Sequence, residues 1–192
     1  MGTPIAIIRL AVAALPLLAA TPARADDPLE GDFEIRSAYA VPSHGVIMLT
    51  ARVGYPSSQL LSASLKDGVT LSFDLECIVS RHRRLWFDAE AVDLLRHSEL
   101  SYQVLADRYL LRDVDAGTQE SFPTLDAALA RVGTVEEWPI AVDSQLPYDE
   151  EWQISLRAGV RRGHMPDALR ALMFWSDAWH RTSEWYTWTL VR

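Results

Sequence analysis

Val69-Thr-Leu-Ser-Phe-Asp-Leu-Glu-Cys-Ile-Val79 is the stretch that decides the fold. Apolar side chains occupy every second position from Val69, and the positions between them are polar except for Ile78. This alternation is typical of a β-strand that presents one face to a core and the other to water. At about 3.3 Å per residue the stretch would span roughly 35 Å, which is long for a strand. We therefore expect it to form a wall on which other segments pack.

The segments before this stretch predict a β-hairpin. Residues 33–41 and 46–53 both alternate, and the Pro-Ser-His-Gly sequence at residues 42–45 is typical of a turn. Within the first segment, four apolar side chains have the same parity and are predicted to share one face of the strand: Phe33, Ile35, Tyr39 and Val41.

Later segments predict more strands and a few short helices. Strands are expected within residues 102–111, 119–122, 152–160 and 184–191, whereas residues 90–97 fit either a helix or a strand and residues 138–147 fit a loop or a sheet edge. Helical spacing is found at residues 60–65, at residues 125–132 and after Pro166. We therefore predict a mainly β fold, an antiparallel immunoglobulin-like β-sandwich with two or three short capping helices.

The first 25 residues are typical of a cleaved secretory signal peptide. They contain no acidic residue, Arg9 precedes an apolar run over residues 10–20, and Ala23-Arg24-Ala25 offers a cleavage site. The run is shorter than the roughly 20 apolar residues that a bilayer span needs. We expect cleavage after Ala25 and a periplasmic single domain over residues 26–192. The alternative is an uncleaved N-terminus that anchors the protein to the inner membrane.

Charge and cysteine content narrow the possible partners. The sequence has 26 acidic and 18 basic residues, a formal net charge of −8. An acidic protein has no overall electrostatic attraction to nucleic acid or to an anionic membrane, so we expect no nucleic-acid partner. Cys77 is the only cysteine and cannot form a disulfide within the chain. Its parity predicts a small buried hydrophobic residue rather than a reactive thiol.

Three motifs carry a family resemblance: GVTLSFDLE at residues 68–76, SFPTLDAAL at residues 121–129 and SDAWHRTSEWYTW at residues 176–188. In these motifs the chain resembles the exported proteobacterial proteins grouped as domain of unknown function 4390. The resemblance runs over most of the predicted mature chain and implies a periplasmic protein without assigned catalytic residues. It also implies, through the genes that tend to accompany the family, a link to a membrane sensor histidine kinase.

The C-terminal tail contains an unusual concentration of tryptophan. Four of the seven tryptophans fall within fourteen residues, namely Trp175, Trp179, Trp185 and Trp188. They could form an aromatic surface for a protein, a lipid or a glycan. Alternatively, the rings fill one end of the core, because a strand places Trp185 and Trp188 on opposite faces. In either case Trp185 is the ring that we expect to be exposed.

Two groups of arginines stand out in an acidic chain. Arg81, Arg83 and Arg84 form the first group, and Arg157, Arg161 and Arg162 form the second. Together they could bind a phosphate or a lipid headgroup through their guanidinium groups. The alternative is that they are solvated strand ends paired with surface acids.

Catalytic and metal-binding patterns are weak. No two of the five histidines lie within four residues of each other, and none has the spacing of a zinc-binding motif. We therefore expect no metal or other cofactor. Asp177, His180 and either Ser176 or Ser183 could form a hydrolase triad, but no nucleophile elbow or glycine-rich oxyanion loop accompanies them. A hydrogen bond between Asp177 and His180 at a turn is the simpler interpretation.

Our leading prediction is a non-enzymatic periplasmic interaction protein that modulates an envelope signalling system. Its partner would be a membrane sensor histidine kinase or another envelope protein. The main alternative is a carrier or sensor of a hydrophobic ligand, such as a lipid, held between the sheets. A hydrolase is the third hypothesis.

Overall fold

The computed structural model describes residues 29–81, 89–163 and 180–191, and these residues form a mainly β protein. The described residues include two short helices, α1 (Gln59–Lys66) and α2 (Leu125–Val132), and a 3-10 turn at Asp143–Gln145. The strands are β1 (Glu34–Ser43), β2 (Val46–Gly54), β3 (Leu71–Arg81), β4 (Ala89–Gln103), β5 (Arg108–Asp113), β6 (Thr118–Phe122), β7 (Thr134–Val142), β8 (Trp152–Arg162), β9 (His180–Thr182) and β10 (Tyr186–Thr189).

The described strands form two antiparallel sheets. The smaller sheet has three strands in the order β1-β2-β7, and the larger has seven, in the order β10-β8-β3-β4-β5-β6 with β9 also paired to β8. The stretch that opened the sequence analysis lies in β3, which pairs along its whole length with β4 on one side and β8 on the other. The predicted mainly β, antiparallel fold with short helices is confirmed, whereas its immunoglobulin-like form is not.

The inner face of the large sheet carries the core. Leu75, Cys77 and Val79 pack beneath the small sheet, and Leu71 and Phe73 pack beneath the two helices. All the apolar side chains of residues 69–79 that were predicted to share a face are buried. Full burial of side chains of this size stabilises a fold by about 1.5–3 kcal/mol each, so β3 is the main support of both halves of the core.

The predicted hairpin is confirmed, but its first strand contains an irregularity. His44 and Gly45 both have positive φ, as a two-residue hairpin turn requires. The pairing of β1 with β2 shifts immediately after Ile35, and a bulge of this kind moves the following side chains to the opposite face. As a result Ile35 is buried, whereas Tyr39 is 55% and Val41 48% exposed. The prediction that these three side chains share a face was therefore wrong.

Both described helices begin at a side-chain cap. The Ser58 hydroxyl accepts a hydrogen bond from the Leu61 amide at 3.0 Å, and the Thr124 hydroxyl accepts one from the Ala127 amide at 3.2 Å. Caps of this kind satisfy a first-turn amide that has no helical partner and stabilise a helix by about 1 kcal/mol. Two of the three predicted helices are thus confirmed, and the helix predicted after Pro166 lies outside the described residues.

The first ambiguous segment is strand, and the second is strand only over residues 138–142, with a 3-10 turn after it. Residues 90–97 belong to β4, which is long enough to pair with β3 over the full length of that strand. Residues 138–142 belong to β7, an edge strand of the small sheet, as the edge interpretation predicted.

The two core clusters lie on the inner face of the large sheet, and its outer face carries charged and hydroxyl side chains.

Candidate functional site

The central strands of the large sheet place a set of polar side chains on its outer face. Asp74 and Glu76 alternate with the buried residues of β3 and therefore point away from the core. Residues paired directly across a sheet point to the same side, which places side chains from β4 and β8 beside them. We call this set the outer-face patch; its members are Asp74, Glu76, Leu95, His97, Arg157, Arg161 and Trp185.

Ion pairs connect three strands within the outer-face patch. The Asp74 carboxylate accepts a hydrogen bond from Nε of Arg161 at 2.9 Å, and its other oxygen lies 2.6 Å from Nδ1 of His97. Glu76 accepts hydrogen bonds from Nη2 and Nε of Arg157 at 2.6 and 3.1 Å. Partly exposed pairs of this kind contribute little to stability, typically under about 1 kcal/mol. Their main effect is to hold the charged groups in defined positions.

The charge of Asp74 is maintained by its partners. Burial raises the pKa of this carboxyl, but the hydrogen bonds from Arg161 and His97 and the electrostatic interaction with both residues more than compensate. The net result is a pKa below the ordinary value for aspartate. Asp74 is therefore ionised at neutral pH, and the outer-face patch has alternating positive and negative groups across the strands.

Trp185 lies over the guanidinium group of Arg157. The guanidinium carbon is 4.3 Å from the centroid of the indole ring, which is a cation–π geometry. The residue is 40% exposed, so part of its surface remains available to another molecule. Because Glu76 accepts two hydrogen bonds from the same guanidinium group, the cation that contacts the tryptophan is already held in place. The result is an exposed, positioned aromatic group at the sheet surface.

A shallow depression adjoins this pair. It has a volume of about 200 Å³, and Gly159, which lies between Arg157 and Arg161 on β8, is part of its lining. Leu95 borders the depression from β4 and is 60% exposed. An apolar side chain and an aromatic ring thus lie beside a small concave region that is bounded by ion pairs.

The family assignment follows from a comparison with known families. Residues 30–189 match a family model described as "Domain of unknown function (DUF4390)". The chain belongs to this family. The match covers every strand of both sheets, and it confirms the resemblance found in the three sequence motifs. No curated protein and no solved structure matches the chain.

The structure assigns different roles to the described tryptophans of this DUF4390 domain's tail. Trp185 belongs to the outer-face patch, whereas Trp188 pairs with Ile154 on the inner side and packs, partly buried, against the core. The surface interpretation thus describes Trp185 and the core interpretation describes Trp188. Trp175 and Trp179 lie outside the described residues.

The structure does not bring Arg81, of the first predicted arginine group, to the arginines of the second group. Arg81 pairs with Glu150 at one end of the β3–β8 pair, and Arg161 and Arg162 lie at the other end, about 30 Å away at the strand rise. Arg161 belongs to the outer-face patch. Arg162 points to the inner side, where its Nη1 atom is buried with no hydrogen-bond partner among the described residues. Arg83 and Arg84 lie outside the described residues.

Ser183 and His180 are the described members of the predicted triad, and the contacts of Ser183 are structural. It is buried, its hydroxyl accepts a hydrogen bond from the Ala158 amide at 3.0 Å, and it donates one to the Glu184 carbonyl at 2.9 Å. His180 lies on β9, is exposed, and is the strand-pairing partner of Arg161 on β8. Ser176 and Asp177 lie outside the described residues. The Ser183 hydroxyl therefore connects β8 to the segment that follows β9, and it is not directed at His180.

The described residues contain neither a cluster of metal-binding side chains nor a helix that could span a membrane. Within residues 29–81, 89–163 and 180–191, no group of three or more His, Cys, Asp or Glu side chains is arranged to hold a metal ion. The two helices of the same ranges are too short to cross a bilayer.

Sequence reasoning alone did not select several members of the outer-face patch, namely Asp74, Glu76, Leu95 and His97. The alternation of residues 69–79 did place Asp74 and Glu76 on the water-facing side of the strand. What it could not provide was the register that sets His97 and Arg161 beside Asp74. Those two partners are 23 and 87 residues away in sequence.

Proposed function

We propose that this member of the DUF4390 family is an exported, non-enzymatic interaction protein that binds an envelope protein through its outer-face patch. A membrane sensor histidine kinase is the first candidate partner. The observation that carries the proposal is the exposed Trp185 ring resting on the Arg157–Glu76 ion pair. Tryptophan and arginine are among the residues enriched at the positions that dominate binding energy in protein interfaces.

The surroundings of Trp185 support a protein partner. Leu95 and the ring offer apolar contact area, and the ion pairs of Asp74 and Arg161 form a polar border next to them. An apolar centre with a polar rim is the usual composition of a protein interface. The charges of the border would select a partner with the complementary arrangement.

Three further observations support the export, the non-enzymatic role and the sandwich architecture that we propose. The acid-free N-terminal segment with its Ala-Arg-Ala site supports export and a periplasmic domain beginning near residue 26. The hydrogen bonds of the Ser183 hydroxyl favour a structural over a catalytic role for that residue. The two antiparallel sheets that share one core support an immunoglobulin-like sandwich, an architecture common among extracellular binding domains.

The polarity of the cleft beside α2 argues against the alternative that the protein carries a lipid. A lipid chain needs a continuous apolar cavity. The cleft beside α2, which reaches Phe73, contains the ion pairs Arg96–Asp113 at 2.7 Å and Arg131–Glu120 at 2.9 Å. Moving an acyl chain next to these charges would remove water from them without a replacement, which is unfavourable.

Site-specific crosslinking in living cells tests the interaction proposal. A photoreactive amino acid at position 95 would sit within the outer-face patch, and one at position 39 would sit at an equally exposed position on the small sheet. We expect the residue-95 probe to capture the sensor kinase, the residue-39 probe to capture much less, and Trp185→Ala to weaken the capture at position 95. The autophosphorylation of the kinase in isolated membranes should also change when the purified protein is added.

Two outcomes would contradict the proposal. One is equal capture of the kinase from both positions, which would indicate collision rather than binding. The other is capture of no envelope protein at position 95, together with unchanged kinase output after deletion of the gene.

A further inference from the structure

A second cleft lies between the first turns of the two helices and the hairpin that joins β4 to β5. Its volume is about 520 Å³, within the range of small-molecule sites. Ser58 and Thr124, the caps of α1 and α2, both line it, and Tyr102 and Asp107 contribute the hairpin side. The cleft shares no residue with the outer-face patch, so what it binds is independent of the proposed function.

Hydroxyl groups dominate the lining of this cleft. Three serines, one threonine and two tyrosines contribute to it, together with the amide of Gln59. Hydroxyl and amide groups both donate and accept hydrogen bonds, which matches a ligand whose own groups do the same. Such a lining is better suited to a polyhydroxylated molecule than to an acyl chain or an isolated ion.

The lining groups are held in place by one another. Ser57 donates a hydrogen bond to Asp126 at 2.6 Å, which connects the start of α1 to the start of α2. Ser62 and Tyr109 share a hydrogen bond of 2.7 Å between α1 and β5. Groups positioned before binding lose less conformational freedom when a ligand arrives, and this favours affinity.

An aromatic wall completes the cleft. The Tyr102 ring packs edge-on against the Tyr109 ring, with 5.1 Å between centroids, and the Lys66 ammonium lies 5.6 Å from the centroid of Tyr102. Tyrosine combines an apolar ring face with a polar hydroxyl. The C–H face of a sugar ring packs well on such a surface, and its hydroxyl groups can exchange hydrogen bonds with the polar side chains of the lining.

The charges of the cleft argue against a strongly anionic ligand. Asp107 and Asp126 provide two carboxylates, whereas Lys66 provides the one ammonium group among the lining residues. A phosphate or sulfate group would meet like charges and lose much of the attraction that the two helix N-termini supply. From size, hydroxyl lining, aromatic wall and charge, we propose that this cleft binds a neutral saccharide.

Nuclear magnetic resonance titration of the ¹⁵N-labelled protein tests this site directly. The probes are the tetramer of N-acetylglucosamine, the glucose tetramer maltotetraose and, as an anion, inorganic phosphate. We expect one of the two saccharides to shift the amide signals of residues 57–62, 102–109 and 124–126, and phosphate to leave them unchanged. The identity of the saccharide that binds distinguishes an acetylated amino-sugar ligand from a plain glucan.

Matched variants locate the binding groups. Tyr102→Ala removes the aromatic ring, and Asp126→Ala removes the carboxylate that holds Ser57. Each should weaken saccharide binding by about tenfold, which corresponds to one net hydrogen bond. Tyr39→Ala, an exposed tyrosine on the small sheet, should leave the affinity unchanged. Urea unfolding of each variant establishes that the fold is retained.

Three results would overturn the assignment. The first is that neither saccharide shifts any signal at a concentration of several millimolar, about 1,000 times a micromolar dissociation constant. The second is that the shifts are confined to another surface. The third is that phosphate, but neither saccharide, shifts the signals of the cleft.

Discussion

Gly133 packs its backbone directly against that of Val53. The Gly133 carbonyl accepts a hydrogen bond from the Val53 amide at 2.8 Å, and a β-carbon on Gly133 would lie only 2.1 Å from the Val53 carbonyl oxygen. The φ of Gly133 is −73°, which any residue can adopt. Glycine is therefore required here for space, at the point where the end of α2 meets β2.

Replacing Gly133 tests this close approach. Gly133→Ala should lower the free energy of unfolding by about 1–3 kcal/mol, because backbone atoms rather than a flexible side chain must move. Gly159→Ala is the matched control, since the nearest atom to its β-carbon would be 3.7 Å away, and it should change stability by less than about 0.5 kcal/mol. Urea unfolding measures both, and equal midpoints for the two variants would contradict the steric argument.

Phe73 tests which face of β3 is buried. The side chain is 3% exposed, and its ring packs edge-on against Tyr55 with 4.8 Å between centroids. Phe73→Ala should therefore cost about 3–5 kcal/mol, through lost burial and the cavity that remains. The comparison is Leu95→Ala on the opposite face, which should cost under about 1 kcal/mol. A loss below about 1 kcal/mol for Phe73→Ala in urea unfolding would mean that the strand faces the other way.

Local periodicity explains which parts of the fold could be predicted. The burial of Phe73 and Cys77 follows from a two-residue repeat, and the start of α2 follows from Thr124 placed before an apolar face of helical spacing. These signals lie within about ten residues of sequence and survive in the folded chain. The same two-residue repeat places Arg161 and Arg162 on opposite faces of β8. The sequence analysis grouped them because they are adjacent in sequence.

Long-range pairing explains what could not be predicted. The bulge after Ile35 has no clear signal in the alternation of β1, yet it moves Tyr39 from the expected face to the surface. The outer-face patch likewise depends on the registers of β3 with β4 and β8, which place His97 and Arg161 beside Asp74. Registers depend on the packing of both partner strands, and one strand's sequence does not contain that information.

Cys77 should be unreactive in the folded protein. Burial, with a smaller effect from the charge of Asp93, raises the pKa of the thiol to about 12, so thiolate is scarce at neutral pH. The side chain is also fully buried beneath the small sheet. We expect a chromogenic disulfide reagent to react orders of magnitude more slowly with native protein than with protein in denaturant. Fast reaction of the native protein, under conditions where its circular dichroism is unchanged, would contradict this placement.

Asp74 should make the stability of the protein depend on pH in the acid range. Its folded-state pKa lies below the ordinary value of 3.8, so its interactions contribute stability above that pH. This contribution is lost as the pH falls through the folded-state pKa and the carboxylate becomes protonated. Asp74→Asn, which removes the charge and retains the shape, should make the free energy of unfolding vary less between about pH 5 and pH 2.

Changing the partner of Asp74 provides the reciprocal measurement. Arg161→Gln keeps the carboxylate but removes the stronger of its two hydrogen-bond partners, so it should flatten the same acid limb in part. Urea unfolding at several pH values, carried out on wild type and both variants, gives the three profiles. Because the pair is partly exposed, the difference at neutral pH should stay under about 1 kcal/mol. Parallel profiles for all three proteins would show that the Asp74 carboxylate is not held by Arg161 and His97 in solution.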